Sequence, residues 1–127
     1  MTKLLIVDDN REMRDLMRSI TSKFSNQIFE CEDGDEVLAA FNLYRPDWIV
    51  MDVEMKRMDG LEATAALVKQ YPAANVIIIT NHNDTQTQQA ASDAGARYFL
   101  GKDDLLSLRT LIQYQEVLPK GLNQINK

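Results

Sequence analysis

Read as a string of apolar and polar positions, the chain carries five short apolar runs, at 3–8, 27–31, 47–52, 75–80 and 97–101, spaced about 20 to 28 residues apart. Helix-length segments separate them. Three runs, LLIV from Leu4, WIVM from Trp48 and VIII from Val76, are apolar throughout, as central parallel strands buried on both faces should be. QIFEC and RYFLG are mixed and are expected at the edges. The segment Arg11 to Lys23 places Met13, Leu16, Met17 and Ile20 at i, i+3, i+4 and i+7, the stripe of a helix lying on a sheet. Val37, Leu38, Phe41 and Tyr44 form the second stripe, Leu61, Ala65 and Val68 the third, and Leu105, Leu108 and Ile112 the fifth.

Strands alternating with helices at this spacing predict parallel strands joined by right-handed crossovers, an α/β sheet covered on both faces. With strands 1, 3 and 4 inside and 2 and 5 outside, the order 2-1-3-4-5 satisfies the pattern. That is a flavodoxin-like, doubly wound, five-stranded parallel sheet with five helices, in which ligands bind beyond the carboxyl ends of the strands where the winding reverses. The fourth helix stands apart: Asp84 to Ala94 offers the sheet only Ala90, Ala91 and Ala94, so it buries little apolar area and is expected to shift easily. One domain over 1–118 is expected, with 119–127 as a tail or the start of a linker.

Composition narrows the class. With 45% hydrophobic and 26% charged residues the chain is an ordinary globular one. No run approaches the roughly 18 apolar residues of a membrane span, and Met1-Thr2-Lys3 leads straight into a strand, so neither a span nor a secretory signal is expected. The lone Cys31 suits a reducing cytoplasm. A net charge of −5 argues against this domain gripping nucleic acid by itself.

The strand ends carry the chemistry. Asp8 and Asp9 follow strand 1, Asp52 ends strand 3, Thr80 ends strand 4 and Lys102 follows strand 5, all on one rim. Taken singly, each carboxylate reads as a helix cap or turn residue, Lys102 as a solvated charge and Thr80 as a turn residue. Together they form a site. Three close carboxylates repel one another, and a small hard cation such as Mg²⁺ removes the conflict; Mn²⁺ would serve as well. Lys102 and Thr80 supply a charge and a donor for an anion beside the metal, which is what phosphoryl transfer requires. Asp52 is the natural nucleophile, giving an aspartyl phosphate.

The stretches VDDN, DVEMKRMDGLEA, IIITN and AGARYFLGK resemble the receiver domain of two-component response regulators, over about Lys3 to Ile112. The chemotaxis member of that family is a standard example of the 2-1-3-4-5 winding, so the resemblance implies the same strand order. It implies that Asp52 accepts a phosphoryl group from a phosphohistidine on a sensor histidine kinase or phosphotransfer protein. It also implies that Asp9 and Asp52 ligate Mg²⁺ directly, Glu54 through its backbone carbonyl and Asp8 mostly through water, while Thr80 and Lys102 contact phosphoryl oxygens. A switch is implied too: Thr80 is drawn inward, an aromatic three positions before the Lys fills the vacated space, and the face of helix 4, strand 5 and helix 5 reads out the change. Counting from Lys102 favours Phe99, with Tyr98 as the neighbour that could take the role.

Several positions depart from the family pattern. Lys56 stands where Pro is usual, Asn81 replaces a small residue after Thr80, Asp103 replaces the Pro after Lys102, and Glu54 adds a fourth carboxylate. His82, two residues past Thr80, is expected on the solvated edge of the site. Lys56, Asn81 and His82 are therefore candidate modulators of rate and partner choice. The function expected is a signalling module that acts on itself, phosphorylating and dephosphorylating its own Asp52, and not an enzyme with turnover. A small phosphohydrolase of the haloacid dehalogenase kind is the rival, because Asp52-Val53-Glu54 loosely resembles its D-x-D motif; a phosphorylation-independent docking adaptor is the other. A homodimer through the readout face, and a DNA-binding output domain in a longer chain, are further expectations.

Overall fold

A computed structural model of the protein describes residues 2–113. The strands β1 (Lys3–Val7), β2 (Gln27–Cys31), β3 (Trp48–Asp52), β4 (Val76–Thr80) and β5 (Tyr98–Gly101) pair in parallel in the order β2-β1-β3-β4-β5. Helices α1 (Arg11–Thr21), α2 (Val37–Tyr44), α3 (Gly60–Gln70) and α4 (Thr85–Ala94) lie between consecutive strands, and α5 (Ser107–Gln113) follows β5. The expected doubly wound sheet with five helices is present. The boundary expected at 118, and the tail beyond it, lie outside the described residues. No described helix is long and apolar enough to cross a membrane.

Side chains alternate across a strand, so each strand feeds two cores. Leu4, Ile6, Val50 and Ile77 join Met17 of α1 and Leu108 and Ile112 of α5 on one face. Leu5, Val7, Met51 and Ile78 join Phe41 of α2, Leu67 of α3 and Ala91 of α4 on the other. All five residues of β3 and of β4 are buried, as their unbroken apolar runs predicted. The two edges differ from each other. β2 is partly exposed, whereas all four residues of β5 are buried. Arg97, which made that run look mixed, falls before the strand and lays its guanidinium over the rings of Trp48 and Tyr98.

Three helix faces differ from the predicted stripes. In α1, Leu16 is 47% exposed and Arg14 is buried in its place, because Arg14 bonds Glu30 on β2 and the carbonyl of Asp8, which turns positions 14, 17 and 21 toward the sheet. In α2, Leu38 is exposed while Val37 and Phe41 are buried. In α3 the buried residues are Gly60, Ala63, Thr64 and Leu67, with Ala65 exposed. Gly60 explains this rotation: a Cβ there would lie 1.9 Å from the Asp52 carbonyl oxygen, so only glycine lets the first turn press against the end of β3.

Side chains that bond the free amides of a helix's first turn start α1, α3 and α4: Asn10 accepts from Met13, Asp59 from Glu62 and Asp84 from Thr87. α4 ends on Gly95, whose φ of 102° is the left-handed conformation that glycine adopts without strain.

Candidate functional site

The rim residues converge because each terminates or follows a buried strand. Asp8 has no exposed surface; its amide donates to the Cys31 carbonyl at 3.2 Å, and its own carbonyl accepts from Arg14 Nη1 at 2.8 Å. Those bonds fix the backbone, and the Asn10 amide at 2.9 Å fixes Oδ1. Oδ2 is buried with no hydrogen-bond partner. Asp52, 2% exposed, has Oδ1 3.0 Å from Lys102 Nζ. The same ammonium lies 3.6 Å from Asp8 Oδ2, too far for a hydrogen bond. Asp9 is the least enclosed of the three acids, and one carboxylate oxygen from each of Asp8, Asp9 and Asp52 lies within 4.8 Å of the others.

Electrostatics follow from that packing. Burial, followed by the neighbouring Asp8 charge, pushes the Asp52 carboxyl up to about 6 against the pull of Lys102. Burial also raises Asp8, although the Asn10 amide and Lys102 oppose it. Burial works against the Lys102 charge, but its bond to Asp52 and the nearby carboxylates prevail, so its ammonium is held more firmly than usual. One ammonium does not balance three acids. Asp8, Asp9 and Asp52, with a buried oxygen that lacks a donor, could together hold a divalent cation, and an all-oxygen donor set suits Mg²⁺ or Mn²⁺.

Around this centre, Thr80 ends β4 next to Asp52, whose register partner on that strand is Ile79. The Thr80 hydroxyl oxygen accepts from the His82 amide at 2.9 Å. Lys56 and Asn81 are exposed. His82 is exposed as expected, yet its Nε2 lies 2.6 Å from Glu54 Oε1, so the fourth carboxylate is paired across the rim. Phe99 lies on the α4 side of the sheet with Ala91 and is 4% exposed; Tyr98 faces the opposite core, its ring 5.9 Å from Trp48. The Phe99 ring is thus already covered, and a rearrangement there repacks a buried ring.

Three contributors escaped the sequence reading. Arg14 falls outside the apolar stripe predicted for α1, and its burial had no signal in the spacing. The Glu54–His82 pair joins two loops, and nothing local signals it. Asp33, 1% exposed, lies in the β2–α2 connection and reads from sequence as half of an Asp-Gly turn.

Comparison with known proteins agrees with this geometry. The family model described as response regulator receiver domain matches residues 4–113. The chain is 32% identical over 100 residues to the chemotaxis protein CheY of Halobacterium salinarum, covering 79% of this chain and 83% of that protein. It is 27% identical over 121 residues to the transcriptional regulatory protein DegU of Brevibacillus brevis, covering 94% of this chain and 50% of that protein. The chain therefore spans about half the length of that regulator, and likewise of YhcZ from Bacillus subtilis, 48% of which is covered. Among solved structures, a CheX–CheY–BeF3–Mg²⁺ complex from Borrelia burgdorferi superposes with a TM-score of 0.83 at 25% identity, covering 92% of this chain and 90% of that one. A two-component response regulator of the LuxR family from Aurantimonas superposes with a TM-score of 0.82 at 26% identity, covering 89% and 83%.

Proposed function

Since the chain belongs to the response regulator receiver domain family, we propose that Asp52 is its phosphoryl acceptor and that a sensor histidine kinase or phosphotransfer protein is the donor. The carrying observation is a buried carboxylate 3.0 Å from a buried-side ammonium, beside two further acids. A carboxylate oxygen of Asp52 attacks phosphorus, the phosphorus–nitrogen bond of the phosphohistidine breaks, and its electron pair returns to the imidazole. An acyl phosphate remains on Asp52. Lys102, already aimed at Asp52, pairs with the oxygens the phosphoryl group brings, and the Thr80 hydroxyl donates to them. Asp9, Asp52 and the Glu54 carbonyl would hold Mg²⁺, or Mn²⁺, directly, with Asp8 acting through water; bound there, the ion supplies neutralising charge. The Glu54–His82 pair joins the loops that follow Asp52 and Thr80, and with the exposed Lys56 and Asn81 it would limit the approach of water and donor.

The output follows from what is weakly held. Drawing the Thr80 hydroxyl toward the phosphoryl oxygens withdraws the acceptor of the His82 amide bond at the start of the β4–α4 loop. The Phe99 ring repacks on the same side of the sheet, and α4 with β5 and α5 presents the altered face to a partner, to a second copy, or to an output domain in a longer protein. Such a shift is limited to the difference in phosphoryl affinity between the two arrangements.

Incubation with acetyl phosphate and Mg²⁺ should add the mass of one phosphoryl group to the intact protein. Asp52→Asn and chelation of the metal should each abolish the gain. Labelling that persists in Asp52→Asn would move the acceptor to another residue.

A further inference from the structure

Asp33 lies outside the rim, yet its carboxylate is almost wholly buried. Oδ1 accepts the amides of Gly34 and Met58, each at 2.8 Å, and Oδ2 accepts the amide of Arg57 at 2.9 Å. The Gly34 bond is the ordinary local turn of an Asp. The other two cross 24 and 25 residues of chain to the segment joining β3 to α3, which carries Glu54 away from the acceptor. Burial disfavours the charge, but the amides of Arg57, Met58 and Gly34, with the Arg57 guanidinium, outweigh it and hold the carboxyl below its usual range.

The same seam is closed on either side of that grip. A Cβ on Gly34 would meet the Met58 carbonyl oxygen at 2.6 Å, so the turn rests directly on the segment's backbone. The Arg57 guanidinium forks onto Asp35 at 2.8 and 3.1 Å and reaches Glu36 at 3.4 Å. The ends of the segment are pinned as well: the Val53 amide donates to the Ile79 carbonyl at 3.1 Å, and the Gly60 amide to the Val53 carbonyl at 2.8 Å. Glu54 therefore sits between a pin on β4 and a grip from the β2–α2 connection. Lys56, without the ring constraint of a proline, leaves the backbone there free unless something else orders it.

We propose that Asp33 is a positioning residue: by gripping the Arg57 and Met58 amides it sets segment 53–59, and with it the Glu54 carbonyl and the wall of the acceptor site. This rests on the reading of Asp52 as acceptor. Its consequence is that metal and donor are recognised by a loop whose order comes from the β2–α2 connection, outside the strand-end residues themselves.

The test uses the whole chain with acetyl phosphate and reads the Mg²⁺ concentration giving half-maximal labelling. Asp33→Ala should raise it roughly tenfold, the low end of what removal of a supporting hydrogen bond does at metal sites. Asp33→Asn keeps an oxygen for Gly34 and Met58 but turns a donor toward the Arg57 amide, and should raise it roughly threefold. Should the alanine variant not fold, the asparagine variant decides. Leu111→Ala, in the core of the opposite face, should lower the urea midpoint and leave the Mg²⁺ dependence unchanged, which separates positioning from lost stability. If wild type takes up no phosphoryl group, the acceptor reading falls. If wild type labels at Asp52 and the folded Asp33 variants keep its Mg²⁺ dependence, the acceptor stands and the positioning role is overturned.

Discussion

α1 and α4 flank the same sheet on opposite faces, yet they are attached by different physics. α1 inserts Met17 with no exposed surface and buries Arg14. It is also tied to β2, through Arg14 Nε and Arg18 Nη2 at 2.8 and 2.7 Å from the two oxygens of Glu30. α4 buries only Ala91, and much of its remaining length is exposed Gln, Thr and Asp. A methyl group buries far less area than a methionine side chain, so at about 25 cal/mol per Å² α4 rests on a fraction of the anchoring energy of α1. Of the two helices, α4 is the one that costs less to displace from the sheet.

The largest expected effect tests that contrast head-on. Met17→Ala should cost about 2–5 kcal/mol of unfolding free energy, the range for truncating a buried Met, read as a fall in the urea midpoint at unchanged slope. Ala91→Gly removes one buried methyl and some helix propensity, and should cost about 1–2 kcal/mol. Equal losses would mean that α4 is as firmly built in as α1.

Next in size is a pH effect with opposite signs in two regions. In metal-free protein the Asp52 carboxyl lies at about 6, above its usual 3.8, so its contribution is full below about 3.8 and lost as pH rises through 6. That shift is worth on the order of 2–3 kcal/mol. Glu30 runs the other way: burial opposes its charge, but Arg18 and Arg14 prevail and lower it, so its contribution is present above the usual carboxyl range and lost as pH falls through its folded value. With chelator present, the urea midpoint should drop as pH rises from about 4 to about 7; Asp52→Asn should flatten the drop, and Mg²⁺ should restore stability mainly at about pH 7. A midpoint that rises over that interval in metal-free protein would contradict the crowding of the rim acids.

How much of this could be read from residues alone depends on the range of the interaction. Strand order followed from the unbroken apolar runs at Leu4, Trp48 and Val76, because two-sided burial is written into every position of a strand. The rim was legible for the same reason: Asp8, Asp52, Thr80 and Lys102 are placed by where strands end. The thin anchoring of α4 was equally plain in its alanines. Helix rotation was not, since it turns on single close approaches such as Gly60 against the Asp52 carbonyl and on the buried Arg14. Asp33 and the Glu54–His82 pair were invisible because their partners come from other loops, and no spacing rule links residues 24 or 28 positions apart.

The smallest effect sharpens the contrast between the two helices most. Asn10 caps α1 and Asp84 caps α4 by the same bond, side-chain oxygen to the amide three residues on, at 2.9 and 2.7 Å. Removing either cap with alanine deletes the same chemistry, so any difference in outcome reports on the helix behind it. α1 cannot open without exposing Met17 and freeing Arg14 and Arg18 from Glu30, so the loss from Asn10→Ala should appear in global unfolding, as about 1 kcal/mol in the urea midpoint. α4 can fray while the sheet stays intact, so Asp84→Ala should leave that midpoint nearly unchanged and instead raise amide exchange at Thr87 and Gln88 several-fold. A midpoint lowered as much by Asp84→Ala as by Asn10→Ala, with no local gain in exchange, would place α4 inside the global cooperative unit and remove the physical basis for a helix that moves by itself.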